Sequence, residues 1–347
     1  MNKKDAPETD LMKILIVQTS FLGDTILSTP VIEGINALYP DAELWMMTTP
    51  LSSHLVANDP LLAGVIPYDK RGSAKGIKGL RTMAAEVKAM GFDRVYSLHR
   101  SIRTSVMLAL AGIPERVGFS NAKGRFLYHR TFRRDPSVHD VLRNLAILEG
   151  EADITALKAD MRLFPPPDSE ISEAVKNAIP TSPFALMVPG SAWETKMWHS
   201  EGYRTVAKAL LQKGLSVVVA GGPDEAQACR KASEGTAAVN LAGKTGIGEM
   251  IWIAKKAAVI ICNDSMALHM ASALKVPNVA IFCSTTPAFG FGPWKNRAIV
   301  VEKELPCRPC GRHGKRECPN GTEACMREIT PEQVLSAVET LLGEELP

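Results

Sequence analysis

The sequence predicts an α/β protein built from two doubly wound parallel sheets that face a central cleft. Three observations carry that prediction. Short apolar runs alternate with amphipathic stretches along nearly the whole chain, the runs are apolar on both faces, and a proline-rich stretch, LFPPPD at 163–168, breaks the alternation once. Strands that are apolar on both faces and separated by helices belong to parallel sheets covered on both sides. At 347 residues the chain is long enough for two such units, each with its own core.

In the first unit, residues 1–164, strands are expected at 13–18, 43–48, 94–98 and 115–119, with helices near 25–38, 77–90, 101–111 and 138–149. The linker follows, and the second unit, 168–330, repeats the pattern. Its strands are FALMVPG (184–190), LSVVVAGG (215–222), AAVIICND (257–264) and VPNVAIFC (276–283), with helices near 201–213, 224–233, 247–256 and 266–274. A last amphipathic helix, 331–342, opens on the start signal Thr330-Pro331-Glu332. Folds of this kind bind ligands at the carboxyl ends of their strands, so the functional residues are sought in the loops there.

Composition narrows the class. A hydrophobic content of 46% with 22% charged residues excludes a disordered chain. No apolar run reaches the roughly 18 residues of a membrane span. The opening MNKKDAPETDLM has no apolar h-region and reads as a short tail rather than a signal peptide, which implies a cytoplasmic protein. In that compartment the seven cysteines are expected as thiols or metal ligands, not disulfides. The net charge of +3 hides an uneven distribution: from Lys70 to Arg134, 15 Lys/Arg stand against three acids, and the remainder is acidic. Such a segment is either a solvated face or the contact for an anionic partner: nucleic acid, a phospholipid surface, or a substrate carrying several phosphates or carboxylates.

Four stretches carry chemistry. TSFLGDTILSTP (19–30) joins the first strand to a helix, and after Gly23 it places an acid, Asp24, where phosphate-binding turns leave room for an anion. On the motif alone, Asp24 reads as a helix cap. PGSAWETKMW (189–198) leaves a strand end with Gly190, Ser191 and Lys196, a set that suits a diphosphate and also occurs in ordinary connecting loops. In VVVAGGPDEAQA (217–228), Glu225 fits either a ribose hydroxyl or a helix start. ICNDSMALHMASAL (261–274) places Asp264 before a helix whose first turn offers the N–H groups of Ser265, Met266 and Ala267, an anion site. His269 follows on the same helical face, as a packed core residue or a ligand. A fifth stretch, CRPCGRHGKRECPNGTEAC, spaces Cys307, Cys310, Cys318 and Cys325 as C-x2-C-x7-C-x6-C. Only its first pair has the spacing of a zinc site, so reduced thiols are the expectation and a metal the alternative.

Taken together, ILIVQTSFLGDTILSTP, PGSAWETKMW, GGPDE, LAGKTGIGEM and NDSMALHMASAL, in this order, resemble the bacterial ADP-heptose:lipopolysaccharide heptosyltransferases, glycosyltransferase family 9, the second heptosyltransferase more than the first. The likeness covers almost the whole chain. It implies two Rossmann-like units in the glycosyltransferase B arrangement, acceptor unit first and donor unit second, with the final helix, 331–347, packing back on the first. It also implies an inverting transferase that moves heptose from ADP-L-glycero-D-manno-heptose to a Kdo- or heptose-bearing lipid A at the inner face of the cytoplasmic membrane. Carried over by position, Asp24 becomes the base. Lys196 and the N–H groups of Ser265 to Ala267 hold the diphosphate, Glu225 the ribose, Thr245 lines the adenine pocket and Asp264 binds the heptose. Gly190, Ser191 and His269 complete the donor set. The family usually has glycine where this chain has Met266. On the acceptor side Gly23, Lys70, Arg71, Arg100 and Arg103 are expected to meet the acidic acceptor. A monomer with no obligatory cofactor and no nucleic-acid partner is expected. The rivals are the same fold with another sugar or a protein acceptor, a nucleotide-sugar epimerase, and a zinc-bearing nucleic-acid module.

Overall fold

The computed structural model describes residues 11–343; the expected N-terminal tail therefore lies almost wholly outside the described residues. Two six-stranded sheets, every pairing parallel, make up the frame. The first contains β1 (Lys13–Val17), β2 (Glu43–Thr48), β3 (Gly64–Pro67), β4 (Arg94–Ser97), β5 (Glu115–Phe119) and β6 (Arg130–Phe132), in the order β3-β2-β1-β4-β5-β6. The second contains β7 (Phe184–Val188), β8 (Ser216–Val219), β9 (Val239–Asn240), β10 (Val259–Asn263), β11 (Asn278–Phe282) and β12 (Ala298–Glu302), in the order β12-β11-β10-β7-β8-β9. Counted from its own first strand, each sheet has the doubly wound order 3-2-1-4-5-6, which reverses direction beside its first strand. The crevice at that reversal is where such sheets bind ligands. Here it falls between β1 and β4 in one sheet and between β7 and β10 in the other.

The central strands form because their residues are apolar on both faces: Ile14 to Val17, Phe184 to Val188 and Val259 to Cys262 are all buried. One apolar cluster runs continuously through both halves, from Ile26 and Leu27 to Leu268 and Met270. The helix expected at 25–38 is two, Leu22–Ser28 and Pro30–Leu38. Pro30 has no N–H to continue the first helix and suits the first position of a second. Four short strands and the helices Pro50–Val56 and Glu173–Ala178 join the expected elements.

The last helix corrects an expectation. Pro331–Leu342 packs on the Ser200–Gln212 helix and against β10, β11 and β12, not on the first half. Its apolar face, Val334, Ala337, Val338 and Leu341, is buried in the second core beside Tyr203, Leu210 and Ile281, which leaves no apolar stripe for the other half. Residues 344–347 lie outside the described residues.

Candidate active site

The two reversal points face each other. From the first sheet comes the helix Leu22–Ser28, which follows β1; from the second comes the helix Met266–Leu274, which follows β10. They meet at Gly23, where an added Cβ would lie 3.0 Å from Cδ2 and 3.6 Å from Nε2 of His269. His269 is buried in this contact, burial pushes its pKa down to about 4, and the ring is neutral at pH 7.

Asp24 is the next residue. One carboxylate oxygen accepts the N–H of Phe21 at 3.2 Å, so the side chain does cap its own helix. Burial raises its pKa to about 6, and the nearby carboxylate of Asp140 adds to this; the Phe21 N–H, Arg134 and Arg100 act in the opposite sense. Asp140, itself buried, accepts from Arg134 at 2.5 Å and from Arg143 at 3.2 Å. Asn144, one turn on, donates to the Leu27 carbonyl at 3.1 Å and so fixes this group against the Asp24 helix. Cap and base are compatible: a carboxylate held in place by one N–H and made more basic by burial is suited to proton transfer near neutral pH.

Across the cleft, Lys196 lies 2.6 Å from Oδ2 of Asp264, which also accepts from the Thr285 hydroxyl at 2.7 Å. Asp264 therefore aims the ammonium group through one oxygen, while Oδ1 makes no hydrogen bond among the described residues. The loop carrying Lys196 is held by Asn263, whose side chain donates to the Pro189 carbonyl at 2.7 Å and accepts from the Trp198 N–H at 3.0 Å. The hydroxyl of Ser191 reaches the Asp264 carbonyl at 3.4 Å. The N–H groups of Met266 and Ala267 have no acceptor among the described residues, the Leu268 N–H donates to the Ser265 carbonyl at 3.2 Å, and the buried Ser265 Oγ has no partner. Met266 adopts ordinary helical geometry, so nothing in the backbone there requires the family's glycine.

Glu225 accepts the Gly222 N–H at 2.8 Å and packs against Gly190, where any side chain would collide with it. Burial raises its pKa. It therefore caps its turn while spanning the ends of β7 and β8. Thr245 stands half-buried just before the Ile247–Lys256 helix.

The expected acceptor residues divide. Arg100 follows β4, is exposed, has no side-chain partner among the described residues, and is close enough to Asp24 to lower its pKa. Arg71 is exposed as well. Lys70 turns inward: it donates to the Thr19 carbonyl at 2.6 Å, and burial with neighbouring Arg71 and Arg103 lowers its pKa to about 8. Arg103 is taken up by structure, donating to Tyr68 Oη at 3.1 Å and to the carbonyls of Ala74 and Gly76.

The cysteine loop is not a gathered metal site: among the described residues no group of three or more possible ligands lies close enough to hold an ion. Cys325 is buried, while Cys307, Cys310 and Cys318 are partly exposed. The loop instead lies over the strand ends of the second half, where the Lys315 N–H and carbonyl pair with Thr195 at 2.8–3.1 Å. It brings Arg312 to the cleft opposite Arg100, whose pKa it helps to lower after burial and Arg134. Asp140 and Thr285 escaped the sequence reading; Asn263 was visible as the residue preceding Asp264 at a strand end, Arg134 as the end of the basic segment and Arg312 as a cation of the cysteine stretch, without a place in this site.

A seam closes the halves beside this site. Arg143 donates to the Phe289 carbonyl at 2.9 Å, His139 stacks on Trp294 at 4.3 Å, and Lys275 pairs with Asp160.

Comparison with known proteins agrees with this arrangement. The family model for glycosyltransferase family 9 (heptosyltransferase) matches residues 80–320. The chain is 26% identical to lipopolysaccharide heptosyltransferase 2 of Salmonella typhimurium, over 96% of this chain and 99% of that protein. Among solved structures it is similar to a family 9 glycosyl transferase from Veillonella parvula, with a TM-score of 0.83 and 25% identity over 97% of this chain and 99% of that one. The fold of E. coli ADP-heptose lps heptosyltransferase II superposes with a TM-score of 0.76 at 23% identity, covering 95% and 98%.

Proposed function

The chain belongs to glycosyltransferase family 9, the heptosyltransferases, and from that premise we propose that it transfers heptose from ADP-heptose to the inner core of lipopolysaccharide, with inversion at the anomeric carbon. Asp24 takes the proton of the acceptor hydroxyl as its oxygen bonds to that carbon. The bond to the ADP oxygen breaks in the same step. The charge left on the diphosphate falls to Lys196 and to the N–H groups at the start of the Met266–Leu274 helix. Asp264 holds Lys196 with Oδ2 and offers Oδ1 to the sugar, Glu225 takes the ribose, and Thr245 borders the adenine. Arg100 and Arg71 receive the acidic groups of the acceptor. No metal is obligatory in this scheme. The enzyme acts as a monomer, on the cytoplasmic side and at the membrane periphery, where the lipid-linked acceptor lies.

One observation carries this reading: a carboxylate with its pKa raised to about 6 stands on one of the two helices that touch at Gly23 and His269, and a lysine aimed by a buried aspartate, Asp264, stands beside the start of the other. The test is incubation with ADP-heptose and Kdo-lipid A or its monoheptosyl form, following ADP release and the mass of the lipid product. Turnover with ADP-heptose and a one-heptose mass gain are expected. No ADP with either acceptor, or equal turnover with UDP- and GDP-sugars, overturns it.

A further inference from the structure

Large exposed hydrophobic side chains are unevenly placed. Among the described residues there are seven, all in the first half: Leu11, Phe21, Leu51, Ile77, Ile102, Leu110 and Phe126. Five of them share one edge. Phe21 follows β1, Leu51 opens the helix after β2, Ile77 the helix after β3, Ile102 the helix after β4, and Phe126 lies in the short turn after β5. These are five adjacent strands, so each carboxyl end along β3-β2-β1-β4-β5 carries one. Phe126 is 74% exposed and Ile77 73%, values that waste apolar surface unless something covers it.

Cations accompany the row. Lys75 and Lys78 flank Ile77, and Lys123 and Arg125 precede Phe126; all four are exposed and pair with no carboxylate among the described residues. One acid of that rim, Asp69, is occupied by the N–H groups of Arg71, Gly72 and Ser73 at 2.8–3.2 Å. The edges are physically joined: Arg103, from the turn holding Ile102, donates to the Gly76 carbonyl, and a Cβ on Gly124 would meet Ile102 at 3.0 Å. A row of apolar tips set among unpaired cations complements a bilayer with anionic headgroups, where the tips enter the acyl boundary and the cations stay at headgroup level. A polyanion such as nucleic acid would match the charge but give the apolar tips nothing to enter.

We propose that this rim is a membrane-docking surface for an anionic lipid bilayer, which presents the first half's strand ends, and Asp24 with them, toward the lipid. This deepens the peripheral placement proposed above, but its test does not depend on heptose transfer.

The experiment is co-sedimentation of the full chain with phosphatidylglycerol–phosphatidylethanolamine vesicles and, separately, with phosphatidylcholine vesicles. The wild type partitions to the anionic vesicles, and added salt weakens this. The variants I77S/F126S and K123A/R125A each lower the partition coefficient by about tenfold or more. L110S, which removes a 52% exposed leucine at the far end of the Ile102–Leu110 helix, leaves it unchanged. Failure of the wild type to bind anionic vesicles, loss in L110S equal to that in I77S/F126S, or charge-dependent binding that ignores I77S/F126S each overturns the proposal. ADP release with a delipidated acceptor, measured on the same variants, reports separately on the transfer reaction and is expected to be unchanged.

Discussion

The backbone of Gly23 rests on the imidazole of His269, with room for no more than a hydrogen: a Cβ there would stand 3.0 Å from the ring. This is the point where the helix carrying Asp24 and the Met266–Leu274 helix touch. Gly23→Ala forces the two apart by a few tenths of an ångström. A fall in kcat of about tenfold is expected, with a loss of stability of about 1 kcal/mol and unchanged ADP affinity. Steady-state kinetics beside calorimetric titration with ADP check this.

Replacing Asp24 by Asn keeps an acceptor for the Phe21 N–H and removes the proposed base. A loss of at least about 100-fold in kcat is expected. The stability effect has the opposite sign. Because the folded-state pKa, about 6, lies above the model value of 3.8, the folded protein holds a proton that the unfolded chain has released between those values. Stability therefore falls as pH rises through that window, and above pH 6 the ionised Asp24 costs on the order of 3 kcal/mol. At pH 7.5 the Asn variant should melt at or above the wild-type temperature; a clear drop would mean that the carboxylate is chiefly structural.

Arg100 lowers the pKa of Asp24 and faces the cleft. Arg100→Gln removes that positive charge, so the acid limb of the kcat/KM profile, expected near pH 6, moves upward. The acceptor KM rises as well and loses much of its salt dependence. A pH profile that does not move, together with an unchanged acceptor KM, would return Arg100 to the solvated surface.

Lys196 and Asp264 form a pair in which the acid is only 6% exposed. Lys196→Met leaves that charge uncompensated and, in the proposed function, also removes the diphosphate's cation. Losses of about 1–3 kcal/mol in stability and about 1.5–3 kcal/mol in ADP binding are expected. Adding Asp264→Asn should restore the stability but not the ADP affinity. Thermal melts and ADP titrations of the single and double variants separate the two effects.

At the seam, Gly290 has φ +88°, and a Cβ there would lie 2.8 Å from the Val138 carbonyl and 2.5 Å from the Arg143 guanidinium. Gly290→Ala is expected to cost about 1–3 kcal/mol. It should lower kcat although no substrate group is nearby, which melting and turnover measured together will show.

Much of this was legible in the residues, for physical reasons that also mark the limits. Central strands such as β1, β7 and β10 announce themselves because both faces are apolar. The edge strands β3, β6, β9 and β12 have at most one fully buried residue each and carry no such signal. The site motifs were readable as strand-end loops, and Asp24, Lys196 and Asp264 stand on the facing helices and loops. What spacing does not record is the direction in which a cation points. Lys70 and Arg103 turn into carbonyls of their own half, while Arg312, within a run that reads as a cysteine cluster, comes to the cleft. The partner that helps raise the Asp24 pKa, Asp140, is distant in sequence and has no motif of its own. The last helix was assigned to the wrong half because a resemblance, not its apolar face, decided its place.

The seam has a practical meaning for recombining such enzymes. Its bonds tie 139–160 of one half to 275–294 of the other, and several end on carbonyl oxygens. Contacts to carbonyls depend on backbone position more than on partner side chains, so the seam acts as an alignment key between the halves. A chimera that grafts a foreign first half at 163–168 would inherit a new key with its old lock. Transplanting His139, Asp140, Arg143 and Asp160 together with the graft keeps the two strand-end sites in register, and a new acceptor preference could then be installed without retuning the nucleotide side.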